Sequence, residues 1–316
     1  MANILFADQA AHPALGQLLE TAGHNWVDGA SWPRERVLAE LATFDALMIR
    51  SRLKIDEELL LAGQTRLKAI ARWGVGLEHI DLETAARLQI AVLNSPEGSM
   101  HTVAEHSLGM MLMLMNQLGR AAQEVREGKW IRRPNTGVEL RGKTVGLIGY
   151  GNMGQQTARR LSGFGCRVLT HDEYRTDYGD EFAQAVSLAE LQAAADVVSL
   201  HIYAEGNHYY ADAAWFAAFA KPIYFINTAR GLVCNTADLA AAIEAGQVAG
   251  AALDVHEYES QSFVALNPAE QPAPFQYLLQ SEKVIMTPHI AGWSFEAEQG
   301  HAETLAKKLL PILATC

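Results

Sequence analysis

Polar side chains able to do chemistry follow three strand-like runs in the second half of the sequence. His289 follows "VIMTP", where Pro288 fixes the local backbone direction. Arg230 closes the run "INTA", and the segment "ALDVHEYES" carries Asp254 and Glu259. An imidazole titrates near neutral pH and exchanges protons, whereas a guanidinium stays charged and pairs with carboxylates. Because ligands bind beyond the carboxyl ends of strands in an open parallel sheet, the three segments predict a ligand site. The alternative for His289 is a structural histidine that hydrogen-bonds to nearby backbone.

A glycine motif precedes these segments. The stretch "TVGLIGYGNMG", residues 144–154, runs from an apolar strand into G-x-G-x-x-G, and a helical pattern follows. In such a turn the first glycine permits the tight bend, the second lets a pyrophosphate approach the backbone, and the third allows close helix packing. The helix N-terminus then favours the anion. The predicted cofactor-binding residues of this turn are Gly149, Gly151, Asn152, Met153 and Gly154.

An acidic residue follows the motif at the expected distance. The next strand, "CRVLTHD", ends at Asp172, whose carboxylate can accept hydrogen bonds from the ribose hydroxyls of a dinucleotide. A carboxylate at this position repels a 2′-phosphate, so we predict NAD rather than NADP. Arg175 is the opposing signal, because an arginine can pair with that phosphate.

Strand-like and helical patterns alternate before and after a helix predicted at about residues 100–119. Because the glycine motif lies in mid-chain, behind a complete α/β unit, the cofactor domain is predicted to be inserted into another domain. We therefore predict an α/β fold with two Rossmann-like, doubly wound parallel-sheet domains. The predicted substrate domain comprises residues 1–98 and 286–316, and the predicted NAD-binding domain comprises residues 99–285.

Composition narrows the class of protein. The chain has 316 residues, a formal charge of −11 and no basic block, which argues against nucleic-acid and anionic-membrane surfaces. The apolar run at residues 108–115 is shorter than the roughly 18 residues of a membrane-spanning helix. Three scattered cysteines and the absence of a secretory signal at the start favour the cytoplasm. No histidine has a spacing to cysteine or carboxylate that predicts a metal site.

The order of the motifs resembles the D-isomer-specific 2-hydroxyacid dehydrogenase family. GxGxxG is followed by "NTARG", by "ALDV" with a glutamate beyond it, and by "TPHIAG". In the first domain "MIRS" and "RWGVGLEHIDLETA" are also similar to the family, as is the helix segment "NSPEGSMHTVAEHSLGMMLML". The resemblance therefore extends over nearly the whole chain.

This resemblance implies roles for single residues. Reduction of a 2-keto acid needs a hydride, a proton and an anchor for the carboxylate. The resemblance assigns the anchor to Arg230, the proton to His289, and the partner of His289 to Glu259, with Glu257 as the rival glutamate. Further implied contacts are Asp254 with the nicotinamide carboxamide, Thr228 and Ala229 with the ribose, and Arg50, Ser51, Val75 and Gly76 with the substrate.

Three departures from the family pattern leave questions open. Tyr203 replaces a proline after the fourth strand of the cofactor domain, and Ser260 replaces the proline that follows the catalytic glutamate. Trp73 stands where a small residue is usual, so it either narrows the substrate pocket or packs between domains.

Within the family, "IRSR" and "GKWIRR" most resemble phosphoglycerate dehydrogenase without a regulatory domain, which makes 3-phosphoglycerate a candidate substrate. Glyoxylate/hydroxypyruvate reductase is the close alternative, and D-lactate dehydrogenase is the weaker one. A protein like the C-terminal-binding corepressors, which senses NAD and binds partners, is the alternative outside catalysis. The resemblance also implies a homodimer formed through the helix near residues 103–118 and the arm up to about residue 141.

Overall fold

The computed structural model describes residues 1–10, 12–259 and 267–314. The chain forms two compact units, and the second is inserted in the sequence of the first. Unit 1 comprises Met1–Met100 and Trp293–Cys316, and unit 2 comprises His101–Gly292.

Unit 1 contains a five-stranded, wholly parallel sheet with the strand order β2-β1-β3-β4-β5. This order reverses direction between β1 and β3, which makes that point the topological switch point of the sheet. Its strands are β1 (Asn3–Phe6), β2 (Asn25–Asp28), β3 (Ala46–Ile49), β4 (Ala69–Arg72) and β5 (Ala91–Leu93). Its helices are α1 (Ala14–Thr21), α2 (Arg34–Glu40), α3 (Glu57–Gly63), α4 (Leu82–Arg87) and α12 (Phe295–Leu313), with a 3₁₀ turn at Leu41–Thr43.

Both faces of the central strands of the unit 1 sheet are buried. Successive residues of β3 point to opposite faces, so that Leu47 and Ile49 join one apolar cluster while Ala46 and Met48 join the other. The second cluster includes Leu305 and Leu309 of α12, which brings the C-terminal helix onto this sheet. Burial on both faces explains why the strands read as continuous apolar runs.

Unit 2 contains a seven-stranded parallel sheet with the order β12-β11-β10-β9-β6-β7-β8. Its first strand in the sequence, β6, lies between β7 and β9, so the switch point lies beside the glycine motif that follows β6. Its strands are β6 (Thr144–Ile148), β7 (Arg167–His171), β8 (Gln184–Ala185), β9 (Val197–Leu200), β10 (Ile223–Asn227), β11 (Val248–Leu253) and β12 (Val284–Met286). The remaining helices are α5 (Pro96–Met115), α6 (Leu118–Arg126), α7 (Asn152–Leu161), α8 (Leu188–Ala194), α9 (Ala213–Ala217), α10 (Thr236–Glu244) and α11 (Ala273–Gln280), with 3₁₀ turns at Arg133–Asn135, Ser162–Phe164, Gly231–Val233 and Pro268–Glu270.

The predicted fold class is confirmed: both units are α/β with parallel sheets. The boundaries predicted for the substrate and NAD-binding domains stay a prediction. The helix expected at about residues 100–119 begins earlier, at Pro96, because proline is well suited to a first helical turn. It ends at Met115, and Gln117 with φ of 55° separates it from α6. Among the described helices none is long and apolar enough to cross a membrane.

Candidate active site

In the glycine turn between β6 and α7, Gly149 and Gly154 have no room for a side chain, whereas Gly151 faces open space. Gly149 has a φ of +92°, and a Cβ added there would lie 2.5 Å from a backbone carbonyl oxygen. A Cβ on Gly154 would overlap the Gly149 carbonyl oxygen, so neither position accepts a side chain without rearrangement. At Gly151, the N-cap of α7, an added Cβ would meet no heavy atom of the described residues within 4 Å. Asn152 and Met153 begin the helix, where backbone N–H groups lack intrahelical acceptors, so the turn fits a pyrophosphate.

Asp172 follows β7 and lies against the same turn. Its carboxylate accepts hydrogen bonds from the backbone N–H groups of Tyr150, at 2.8 Å, and Tyr174, at 3.0 Å. A carboxylate has about four acceptor sites, so capacity remains for ribose hydroxyls. Arg175 donates to the Tyr150 carbonyl oxygen at 2.6 Å, so Arg175 and Asp172 both hydrogen-bond to the backbone of Tyr150.

The segment after β10 is fixed by Asn227. Its side chain accepts from the Ala229 N–H at 3.0 Å and donates to the Arg230 carbonyl oxygen at 3.0 Å. Arg230 is half-buried, and its Nη1 donates to the Ala229 carbonyl oxygen at 2.7 Å. Thr228 is buried, and its hydroxyl hydrogen-bonds with that of Ser107 at 2.8 Å. The guanidinium of Arg230 is therefore held beyond the carboxyl end of a central strand.

Asp254, which follows β11, holds the segment that carries His289. Its side chain is fully buried, and its carboxylate accepts from the backbone N–H groups of Ile290, at 3.0 Å, and Ala291, at 2.8 Å. Thr287 Oγ1 also donates to it, and His106 Nε2 lies 3.5 Å from Oδ1. Burial alone would raise the pKa of Asp254, but these hydrogen bonds lower it to about 2. The nicotinamide contact implied for Asp254 stays a prediction, because the partners seen here are protein groups.

His289 lies at the centre of this segment. Its backbone N–H donates to the carbonyl oxygens of Asp254, at 2.8 Å, and Thr287, at 3.0 Å, and its φ is 56°. Its Nδ1 lies 3.0 Å from Glu259 Oε1. Since an ionised carboxylate only accepts, Nδ1 must carry the proton of this bond. Glu259 is therefore the acceptor of a hydrogen bond from the His289 ring.

The rival glutamate has different partners. Glu257 accepts a hydrogen bond from the Tyr209 hydroxyl at 2.5 Å and another from the Thr236 N–H at 2.8 Å. The second bond lies at the N-terminus of α10, where a negative charge is favourable. Geometry and spacing therefore agree in selecting Glu259, and not Glu257, as the neighbour of His289.

In unit 1 the loop after β4 contains two of the predicted substrate residues, Val75 and Gly76. The preceding Gly74 has a φ of +129°, and its N–H and carbonyl are both hydrogen-bonded to Ser95. Asn94 Nδ2 donates to the Val75 carbonyl oxygen at 2.7 Å. Carbonyl groups of the loop are thus tied to the segment after β5, and a fixed loop of this kind suits anion binding by backbone N–H groups.

The other two predicted substrate residues, Arg50 and Ser51, follow β3. Asp8, beyond β1, accepts from the Arg50 N–H at 2.5 Å and from Arg52 Nε at 3.1 Å. The Arg50 guanidinium pairs with Glu298 of α12 at 3.4 Å. Ser51 is half-buried between the two arginines. Both arginines therefore have carboxylate partners within unit 1.

The structure describes two of the three departures from the family pattern. Trp73 is 2% exposed, lies in the apolar core of unit 1, and donates from Nε1 to Glu298 Oε2 at 2.8 Å. Tyr203 is exposed after β9. Ser260 lies outside the described residues.

Sequence reasoning missed several partners of the site. His106, Thr287, Asp8 and Glu298 hold predicted site residues, yet each lies far along the chain from the residue it contacts. A short sequence pattern carries no signal for such a contact. Within residues 1–10, 12–259 and 267–314, no group of three metal-ligating side chains could hold a metal ion.

The chain matches a family model over residues 108–291, and that family is described as D-isomer specific 2-hydroxyacid dehydrogenase, NAD binding domain. It is 34% identical over 280 residues to the D-3-phosphoglycerate dehydrogenase of Archaeoglobus fulgidus. That alignment covers 88% of this chain and 51% of the relative. The chain thus spans about half the length of the curated relatives it matches.

Solved structures agree in fold. The TT0316 protein from Thermus thermophilus superposes with a TM-score of 0.83 at 29% identity, covering 99% of this chain and 97% of that one. The D-lactate dehydrogenase from Aquifex aeolicus, complexed with NAD and lactic acid, gives a TM-score of 0.81 at 27% identity. The superposition covers 99% of this chain and 96% of the Aquifex aeolicus chain.

Proposed function

Because the chain belongs to the D-isomer-specific 2-hydroxyacid dehydrogenase family, we propose that it catalyses reversible, NAD-dependent interconversion of a D-2-hydroxy acid and the corresponding 2-keto acid. The single observation that carries the proposal is the hydrogen bond of 3.0 Å between His289 and Glu259. A histidine with a carboxylate on one ring nitrogen is suited to deliver a proton from the other.

We assign the proton transfer to His289. In the reductive direction its protonated ring donates to the keto oxygen, and in the oxidative direction its neutral ring accepts the hydroxyl proton. Glu259 stabilises the charged ring, and the Asp254 carboxylate fixes the backbone that follows His289. The left-handed φ of His289 supports this assignment, because such a backbone conformation is kept where the surrounding hydrogen bonds demand it.

Arg230 and the Val75–Gly76 loop have the task of holding the substrate. A guanidinium fork pairs with a carboxylate and with an adjacent keto oxygen and does not give up its proton, so it polarises the carbonyl without competing as an acid. Backbone N–H groups of Val75 and Gly76 are assigned to the substrate carboxylate. These roles rest on residue chemistry and on the family resemblance.

The residues of unit 2 fit NAD. The open position at Gly151, the N-terminus of α7 and the remaining acceptor capacity of Asp172 are the features that support it. When bound, the nicotinamide supplies or accepts the hydride. Asp172 disfavours a 2′-phosphate by like-charge repulsion, and the nearby Arg175 is already engaged with the Tyr150 carbonyl.

Two kinds of substrate, phosphorylated and unphosphorylated, are candidates. Phosphoglycerate is suggested by the name of the Archaeoglobus fulgidus relative. Hydroxypyruvate or glyoxylate is favoured by one observation, the carboxylate partners of Arg50 and Arg52, which reduce the positive charge available to a phosphate.

The test is NADH oxidation with phosphohydroxypyruvate, hydroxypyruvate, glyoxylate and pyruvate. Turnover with at least one of them is expected. NADH binding without turnover of any 2-keto acid would instead support a protein that senses NAD and binds partners, as the C-terminal-binding corepressors do.

We further propose a cytoplasmic homodimer. Cys166 and Cys234 are free thiols, in keeping with a reducing compartment. The arm from α6 onward exposes apolar side chains that a second copy would cover: Leu118, Val125, Trp130 and Ile131. The proposed partners are a small 2-keto or 2-hydroxy acid and a second copy of the chain, with no nucleic acid and no membrane.

A further inference from the structure

The switch point of the unit 1 sheet gathers charged residues. Asp8 follows β1, and Arg50 and Arg52 follow the neighbouring strand β3. Ligands of open parallel sheets bind at this kind of position, beyond the carboxyl ends of the strands. The charges gathered there therefore bear on which substrate the protein accepts.

The guanidinium of Arg52 hydrogen-bonds to other residues of unit 1. Its Nε donates to Asp8 at 3.1 Å, its Nη1 donates to the Trp32 carbonyl oxygen at 3.0 Å, and its Nη2 donates to the carbonyl oxygen of Ala7. These bonds use three of the five N–H groups of the guanidinium and tie each of its three nitrogens to unit 1. Arg52 thus fixes the loop after β3.

Arg50 has a different kind of partner. Its guanidinium lies 3.4 Å from Glu298 Oε1 and 6.0 Å from the ring centroid of Trp293. Glu298 is held in turn by the indole N–H of the buried Trp73, which donates to Oε2 at 2.8 Å. The Glu298 carboxylate therefore bridges the buried Trp73 indole and the Arg50 guanidinium after β3.

We propose that Glu298, anchored by Trp73 and paired with Arg50, is a specificity-determining residue that favours unphosphorylated 2-keto acids, such as hydroxypyruvate, over their phosphorylated counterparts. The proposal rests on the proposed function, in which Arg50 contacts the substrate.

The reason is electrostatic. A phosphate that approaches Arg50 brings about two negative charges towards a carboxylate that the Trp73 indole holds by a hydrogen bond. It must displace Glu298 from the guanidinium and then remain near it, and juxtaposed like charges oppose binding. The hydroxyl of hydroxypyruvate, in contrast, can donate a hydrogen bond to Glu298 or accept one from Arg50.

Glu298→Gln is the informative change. The glutamine keeps an oxygen that can accept from Trp73, and it removes the negative charge. We expect the ratio of kcat/KM for phosphohydroxypyruvate to that for hydroxypyruvate to rise by about tenfold or more, because one negative charge is removed from beside the phosphate. The matched control is Glu296→Gln, which removes an exposed carboxylate from the same first turn of α12 and should leave the ratio unchanged.

Arg50→Gln completes the test. In this background Glu298→Gln should change the ratio by no more than about twofold, because the coupling between the two residues is gone. An unchanged ratio in Glu298→Gln, an equal rise in Glu296→Gln, or a rise that persists without Arg50 would each overturn the proposal.

A binding measurement separates this proposal from the proposed function. Calorimetry with inorganic phosphate needs no turnover, and Glu298→Gln should bind phosphate about tenfold more tightly than the wild type. Equal phosphate affinities would overturn the specificity role of Glu298 even if the enzyme is active. Absence of turnover in the wild type with every keto acid would overturn the proposed function instead.

Discussion

At the scale of single residues, Glu257 and Glu259 of the loop after β11 have different partners. Glu259 contacts His289 Nδ1, whereas Glu257 contacts Tyr209 and Thr236. In Glu259→Gln we expect the pH profile of keto-acid reduction to move to lower pH, because the protonated ring loses its stabilising charge. The measurement is kcat/KM as a function of pH. Glu257→Gln is the control and should leave the profile in place, so equal shifts in both variants would contradict the assignment.

Asp254 should stabilise the fold in a pH-dependent way. The pKa of its buried carboxyl is lowered from 3.8 to about 2 by hydrogen bonds from His106, Thr287 and the backbone beyond His289, against the opposing effect of burial. A lowered folded-state pKa stabilises the folded state above the unfolded value, and this contribution disappears as the pH falls through about 2.

Asp254→Asn should therefore lower the free energy of unfolding at neutral pH by roughly 2 kcal/mol, which is the free energy that corresponds to this lowering of the Asp254 pKa. The deficit should shrink towards the lowest pH at which the fold persists. Urea unfolding of both proteins across this range measures it. A deficit that is constant with pH would show that the loss has a cause other than the charge.

At the scale of elements, substitution of two glycines in the turn between β6 and α7 should have different effects. Gly151→Ala places a methyl group in open space, so we expect the thermal midpoint to stay unchanged while NADH affinity falls by about tenfold or more, because the cofactor approaches there. Gly154→Ala forces a Cβ against the Gly149 carbonyl and should destabilise the fold by roughly 1–3 kcal/mol.

Gly163→Ala serves as the control for both glycine variants, because among the described residues an added Cβ there also meets no atom within 4 Å. It lies in the 3₁₀ turn after α7. It should keep both stability and NADH affinity. If Gly151→Ala behaves like Gly163→Ala, the pyrophosphate does not lie at this turn.

The apolar central strands were predictable from the sequence because they are buried on both faces and read as continuous runs. β2 was not predicted, since its four residues, Asn25–Asp28, are all exposed at the sheet edge. The two-residue strand β8 is too short to leave a pattern. Glu259 could be predicted as the neighbour of His289, because the family resemblance places the glutamate at a set distance from Asp254 within one loop. The Arg50–Glu298 pair could not be predicted, because it joins the segment after β3 to α12, far away in the sequence.

At the scale of the whole molecule, the arm after α5 should mediate a homodimer. Trp130 is 80% exposed there, and it shares the arm with the exposed apolar side chains Leu118, Val125 and Ile131, a group of the kind that marks an interface. We expect the wild type to sediment as a dimer at micromolar concentration and Trp130→Glu to shift towards monomer. Phe295→Glu is the control, because Phe295 is an even more exposed aromatic residue outside the arm, and this variant should remain dimeric. A monomeric wild type would exclude this dimer.

The central claim is that the protein reduces a 2-keto acid with NADH and that His289 supplies the proton. The most direct test measures the rate of NADH oxidation with hydroxypyruvate for the wild type and for His289→Ala, together with NADH affinity. We expect D-glycerate as the product of the wild type, and in the variant a loss of turnover of about 10²–10⁴-fold with NADH affinity retained. Near-equal turnover in the two proteins, or formation of the L isomer, would contradict it.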